Sequence, residues 1–174
     1  ETDAITLSDV DTANGSITVT AGGAVTATDV ASLTDAEAND ISITGVGIQT
    51  GSVNAGTTAG DVTLNAGTGA ITENGDGAAD VVAQVLTADA TTGIDLDTTI
   101  ASADASVTGA GNIVIDETGD ITLTDVDTAN GFITITAAGN ITVGDVNAGS
   151  QAVTLTADNA GNTAMIVDDA QDNI

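Results

Sequence analysis

The chain has no lysine, no arginine and no histidine, against 26 aspartates and glutamates, so its formal charge is −26. A surface without cations cannot neutralise phosphate, which argues against nucleic acid as a partner. An anionic membrane surface repels it for the same reason, and no apolar run reaches the length needed for direct membrane insertion. Cysteine and proline are also absent, and the aromatic content is a single phenylalanine. Rigidity must therefore come from the backbone rather than from disulfides. Any core must be thin and aliphatic, built from Ala, Val, Ile and Leu. The chain opens at Glu1 without a charged leader, which predicts a processed chain or an internal piece of a longer polypeptide.

What is present is repetition. Residues 5–20 read ITLSDVDTANGSITVT and residues 121–136 read ITLTDVDTANGFITIT; extended to 5–30 and 121–146, the two stretches share 18 of 26 positions. A shorter period runs inside them. Ile113 and Ile115, Ile133 and Ile135, then Val153 and Leu155 recur every 20 residues as apolar, any, apolar triplets. A second series interleaves: Ile121 and Leu123, Ile141 and Val143, then Met165 and Val167 after four extra residues. In the first half, Ile5 and Leu7 lead to Val25 and Ala27, while Ile17 and Val19 lead to Ile41 and Ile43.

Alternation of this kind is strand behaviour, and a fixed period of this size marks a solenoid. The segments are short and rich in β-branched residues, and Gly or Asn punctuates the gaps. The expected fold is all-β: a right-handed parallel β-helix with rungs of about 20 residues, roughly eight of them, some 40 Å long at about 4.8 Å per rung. It forms a single domain over 1–174. In each module the first pair points inward, Asp9 sits at a corner, and Val10 turns inward on the next face. DTANG then loops out, with Asn14-Gly15 and Asn130-Gly131 expected to supply positive φ. The rung boundaries between 71 and 111 do not follow from the period.

That middle text, with LTADATTGIDL, GNIVI and GDITL, resembles the repeat regions of filamentous-haemagglutinin-like bacterial surface proteins. The resemblance implies a secreted right-handed β-helix acting as adhesin shaft, matrix fibre or surface appendage, extracellular or on the cell surface. Its partners would be neighbouring repeats or further copies of itself, and a host, cell-surface or matrix ligand.

Several motifs bear on chemistry. Corner aspartates should stack in register, Asp9 with Asp29, and Asp125 with Asp145 and Asp169. Such a row suits calcium, the one candidate cofactor, or else splays into solvent with each carboxylate accepting a backbone N–H. DVDTANG has acids at positions 1 and 3 but its Gly at 7, where an EF-hand loop needs it at 6. NGDGAAD at 74–80 half-resembles a nonapeptide calcium roll without a second copy. Outward threonine pairs, Thr18 and Thr20, Thr134 and Thr136, Thr154 and Thr156, form too small an array for ice binding, broken at Val114 and Asp116. Lyase chemistry lacks its base and its cation, and glycoside hydrolysis, which needs only two carboxyls, lacks an aromatic platform and a cleft-forming loop. No catalytic role is expected. The composition fits a stiff, acidic structural or adhesive rod, with a calcium-linked filament, sheath or surface-layer subunit as the alternative.

Overall fold

Isoleucine and valine set the first line of the architecture. In the computed structural model, which describes residues 1–158, 160–161 and 163–169, Ile5, Val25, Ile48, Ile71, Ile94, Ile113, Ile133 and Val153 lie over one another in eight successive turns of the chain. Every strand pairing is parallel and there is no helix among the described residues. The chain is a β-solenoid.

Each turn contributes to three stacks rather than the two that the 20-residue series display. The second stack runs Val10, Val30, Val53, Val81, Thr98, Glu117, Ala137 and Ala157. The third runs Ile17, Ile41, Val62, Leu86, Ala103, Leu123 and Val143. Inward side chains of the three stacks meet along the axis: Ile41, Leu64, Ile71, Leu86, Ile113, Leu123 and Ile133 are all fully buried. Each such side chain contributes about 1.5–3 kcal/mol by leaving water. Outward positions between them carry Thr, Ser and Asn, as the alternating pattern requires.

Register is held by the ladders, and length varies at the corners. Two residues separate the first and second stacks at Ser8-Asp9, Thr28-Asp29 and Gly51-Ser52, whereas the fourth turn inserts 73–80 at the same corner. The fifth turn then removes the corner altogether, because a single strand, Gly93–Val107, runs through all three stacks. Val53 to Val81 is thus a step of 28 residues and Val81 to Thr98 a step of 17. This is why no period could be read between 71 and 111.

Two local expectations are corrected. Ile166, not Met165, lies beside Ile141, and Asp168 lies beside Val143, so the insertion before the last strand is five residues. Met165, Ile166 and Val167 are all exposed, with no further described turn over them, so burial does not select one register. The second correction is at Gly131, which does not have positive φ, although Gly15 does at 143°. Gly131 is needed because a Cβ there would run into the Gly111 carbonyl of the turn below.

The two copies of the long repeat also lie differently around the coil. Ile5 starts in the first stack, but Ile121–Thr128 occupies the third, with Leu123 in line with Ile17.

One charged side chain lies among the inward positions of the second stack. Glu117 is buried, and its carboxylate accepts bonds from Thr98 Oγ1 at 2.8 Å, Ile100 N at 2.9 Å and Gly119 N at 2.8 Å.

Two substitutions test this register. Ile133→Ala should lower stability by about 2–5 kcal/mol in chemical denaturation, and Thr134→Ala by less than about 1 kcal/mol. Glu117→Ala should cost about 2–4 kcal/mol, because the buried Ile100 N–H and the half-buried Gly119 N–H lose their acceptor; a loss below about 0.5 kcal/mol would show that water replaces the carboxylate.

Candidate functional site

A parallel ladder places like over like, so acids that share a corner form rows. Asp9 and Asp29 lie one residue before Val10 and Val30, and Val10 N donates to Asp29 O at 3.0 Å. The row continues where the sequence period was lost. Val30 N donates to Ser52 O, Val53 N to Asp80 O and Asp80 N to Asp97 O, at 2.9, 2.7 and 2.8 Å. Asp97 is in turn beside Asp116. One line along the coil, just before the second stack, therefore carries Asp9, Asp29, Ser52, Asp80, Asp97 and Asp116 in order, the first four at a corner and the last two within strands.

Asp125 and Asp145 belong to a different row, on the third stack, which begins with Asp104. Their side chains are exposed. Asp169 does not continue this row directly: its N–H donates to Val143 O at 2.9 Å, placing it beside Gly144, one residue short of Asp145. The cause is the same register step that moves Ile166 into line with Ile141. Partial burial raises the Asp104 carboxyl above its usual range, helped by the charges of Asp125, Asp89 and Asp127. The slight desolvation imposed by its neighbours raises Asp125 as well, exposed though it is, with the charges of Asp127 and Asp145 adding to the effect.

Among the described residues, three carboxylates converge at one place. Glu73, Asp80 and Asp97 each bring an oxygen within 4.8 Å of the other two. Glu73 opens the inserted corner loop, Asp80 closes it, and Asp97 comes from the strand of the next turn. Asp80 is wholly buried while Glu73 and Asp97 are half-buried. The loop between them is shaped by Gly75 and Gly77, with φ of 83° and 71°, conformations that side chains with a Cβ resist. Asn74 Nδ2 donates to Asp76 Oδ2 at 2.9 Å, Asp76 N returns a bond to Asn74 Oδ1 at 2.9 Å, and Ala78 N donates to Asp76 Oδ1 at 2.8 Å. Asp76 is thus occupied inside the loop, and the Ala78 N–H draws its carboxyl below the usual range.

The three converging acids behave in the opposite way. Burial pushes the Asp80 carboxyl up to about 6, with the charges of Glu73 and Asp97 adding to the rise and the Asp97 N–H opposing it. Burial also raises Glu73, alongside the charges of Asp97 and Asp95. Asp97 rises through burial and the neighbouring Asp116 and Asp95. Elsewhere buried or loop carboxylates find donors. Desolvation opposes ionisation of Asp35, yet N–H groups of Ala59, Thr58 and Gly60 outweigh it and hold that carboxyl low.

The sequence period foretold the Asp9 and Asp29 row but not its continuation, because Asp80 and Asp97 are 17 residues apart and no repeat aligns them. The one available signal was NGDGAAD, whose last residue is Asp80. Neither a family model, nor a curated protein, nor a solved structure matches this chain.

The raised carboxyls fix the sign of a pH response. Asp80, Glu73, Asp97, Asp104, Glu117 and Asp125 hold protons in the folded state at pH values where the unfolded chain has lost them. Their contribution is complete below the unfolded values and is lost as pH rises through the folded ones. In EDTA, the melting temperature should therefore fall as pH rises from about 4 to about 6, the window set by Asp80 between 3.8 and about 6. A melting temperature that instead climbs across this window would contradict the assignment.

Proposed function

We propose that this solenoid is a structural or adhesive shaft of an exported bacterial surface protein, without catalysis. The observation that carries the reading is the combination of one uninterrupted parallel sheet through eight turns with an exterior that holds acids and no cationic side chain. Ladder hydrogen bonds run along the axis and give a rod its stiffness, while like charge keeps neighbouring rods soluble and apart. One groove of about 330 Å³ lies along the outer side of the first stack, between Thr72, Asp95, Val114 and Phe132. Phe132 is 43% exposed there, the single aromatic contact point for a ligand on this rod.

A second reading, the self-assembling filament subunit, draws on a specific feature. Val153, Ile166 and Val167 in the last described strands, and Met165 just before the final one, are between 43% and 60% exposed. Another turn stacked on them, from contiguous chain or from a second copy, would bury that apolar edge.

Labelling with an antibody against this segment on intact cells of the source organism tests the shaft. The expected result is surface labelling of whole cells, with the purified segment remaining in short rods. Labelling only after the cells are broken would overturn the reading. Concentration-dependent growth of the purified segment into long filaments, measured by sedimentation, would favour the subunit.

A further inference from the structure

The convergence of Glu73, Asp80 and Asp97 leaves a need that the chain itself does not meet. Asp80 is wholly buried, and its Oδ1 is the one buried side-chain oxygen or nitrogen among the described residues without a hydrogen-bond partner. Its Oδ2 accepts a long bond, 3.3 Å, from Asp97 N. An unpartnered carboxylate oxygen out of water is costly, and here two further carboxylates lie beside it. Asp76, Asp95 and Asp116 add negative charge from the loop and from adjoining strands. No lysine, arginine or histidine exists anywhere in the chain to answer it. The compensating charge has to come from solution.

We propose that Glu73, Asp80 and Asp97 form a divalent-cation site, selective for calcium, that clasps the 73–80 loop shut and ties the fourth turn to the fifth. The donor set is all carboxylate oxygen, which suits a hard cation and offers nothing to the nitrogen- and sulfur-seeking metals. Two oxygens bound to one calcium at about 2.3–2.6 Å can stand up to about 5 Å apart, and magnesium limits them to about 4.2 Å in a strict octahedron. The three oxygens lie within 4.8 Å of one another; three oxygens spread evenly around one ion stand about 4.5 Å apart on calcium and about 3.6 Å apart on magnesium, so the calcium shell spans more of that range. The loop also leaves this site free for an ion. Because Asp76 is consumed by Asn74 and Ala78, Glu73 and Asp80 at the two ends of the loop are the acids that face Asp97.

The site is independent of the shaft reading. The exposed Asp9–Asp29 and Asp125–Asp145 pairs provide its internal control: they bring like charges together without a buried, unpartnered oxygen. They respond to calcium only as a screening ion.

Thermal denaturation of the whole chain in about 0.15 M sodium chloride, where exposed charges are screened beyond about 8 Å, separates the two effects. Calcium at a hundredfold excess over its dissociation constant should raise the melting temperature by roughly 5–10 °C, and equal magnesium by much less. Equilibrium dialysis should count one tightly held calcium per chain. Asp80→Asn should lose the calcium increment while melting in EDTA no lower than the parent, since it removes a buried charge. Glu73→Gln, on the half-buried loop, should lose the increment too and serves as the test if Asp80→Asn does not fold. Asp145→Asn should keep it. Equal effects of calcium and magnesium, or an increment that survives in Glu73→Gln, would overturn the proposal and leave these acids sharing protons instead.

Discussion

The parallel ladder, which seats each residue directly on its counterpart one turn away, is the constraint on which everything else in this molecule depends. About 4.8 Å separates neighbours along the axis, and identical side chains are brought together whether or not they attract. For isoleucine this is favourable, and the first stack is nearly pure Ile and Val. For aspartate it is unfavourable, and the same geometry that builds the core lines up Asp104, Asp125 and Asp145. A chain lacking every basic residue cannot alternate charges down a row as other sheets do. Solvent and ions must take that part.

The regular turns were legible in the sequence because ladders repeat what burial demands. Ile113, Ile133 and Val153 are equally spaced, and the structure stacks them as the spacing requires. Legibility ended where length moved into corners. A solenoid tolerates insertion there, since strands on either side keep their partners while the loop leaves the stack. The eight-residue corner 73–80 and the unbroken strand Gly93–Val107 change the period in opposite senses within two turns. Asp80 and Asp97 came together through those compensating changes, and their convergence left no periodic trace. The last strand illustrates a different limit: Met165 and Ile166 are both exposed among the described residues, so the apolar pattern does not separate them, and backbone pairing places Ile166 beside Ile141.

Burial alone does not decide what an acid in such a rod does. Glu117 and Asp80 both sit inside, and burial raises the carboxyl of each. Glu117 is surrounded by donors from Thr98, Ile100, Thr118 and Gly119, which makes it a structural bracket between turns. Asp80 has a bare oxygen and two acidic neighbours. The difference lies in what the adjoining corner supplies: hydroxyls and N–H groups in one case, further carboxylates in the other.

The displaced repeat has a consequence for how such chains lengthen. Ile5–Val10 and Ile121–Val126 are nearly the same text, yet the first crosses the first and second stacks and the second lies on the third. Their separation of 116 residues is five full turns and part of a sixth, so the duplicated unit is not a whole number of turns. A segment whose wording works on more than one side of the coil can be copied out of phase and still fold. Recombination between repeats then need not respect the circumference of the helix, and gene length can drift by fractions of a turn while the rod stays continuous.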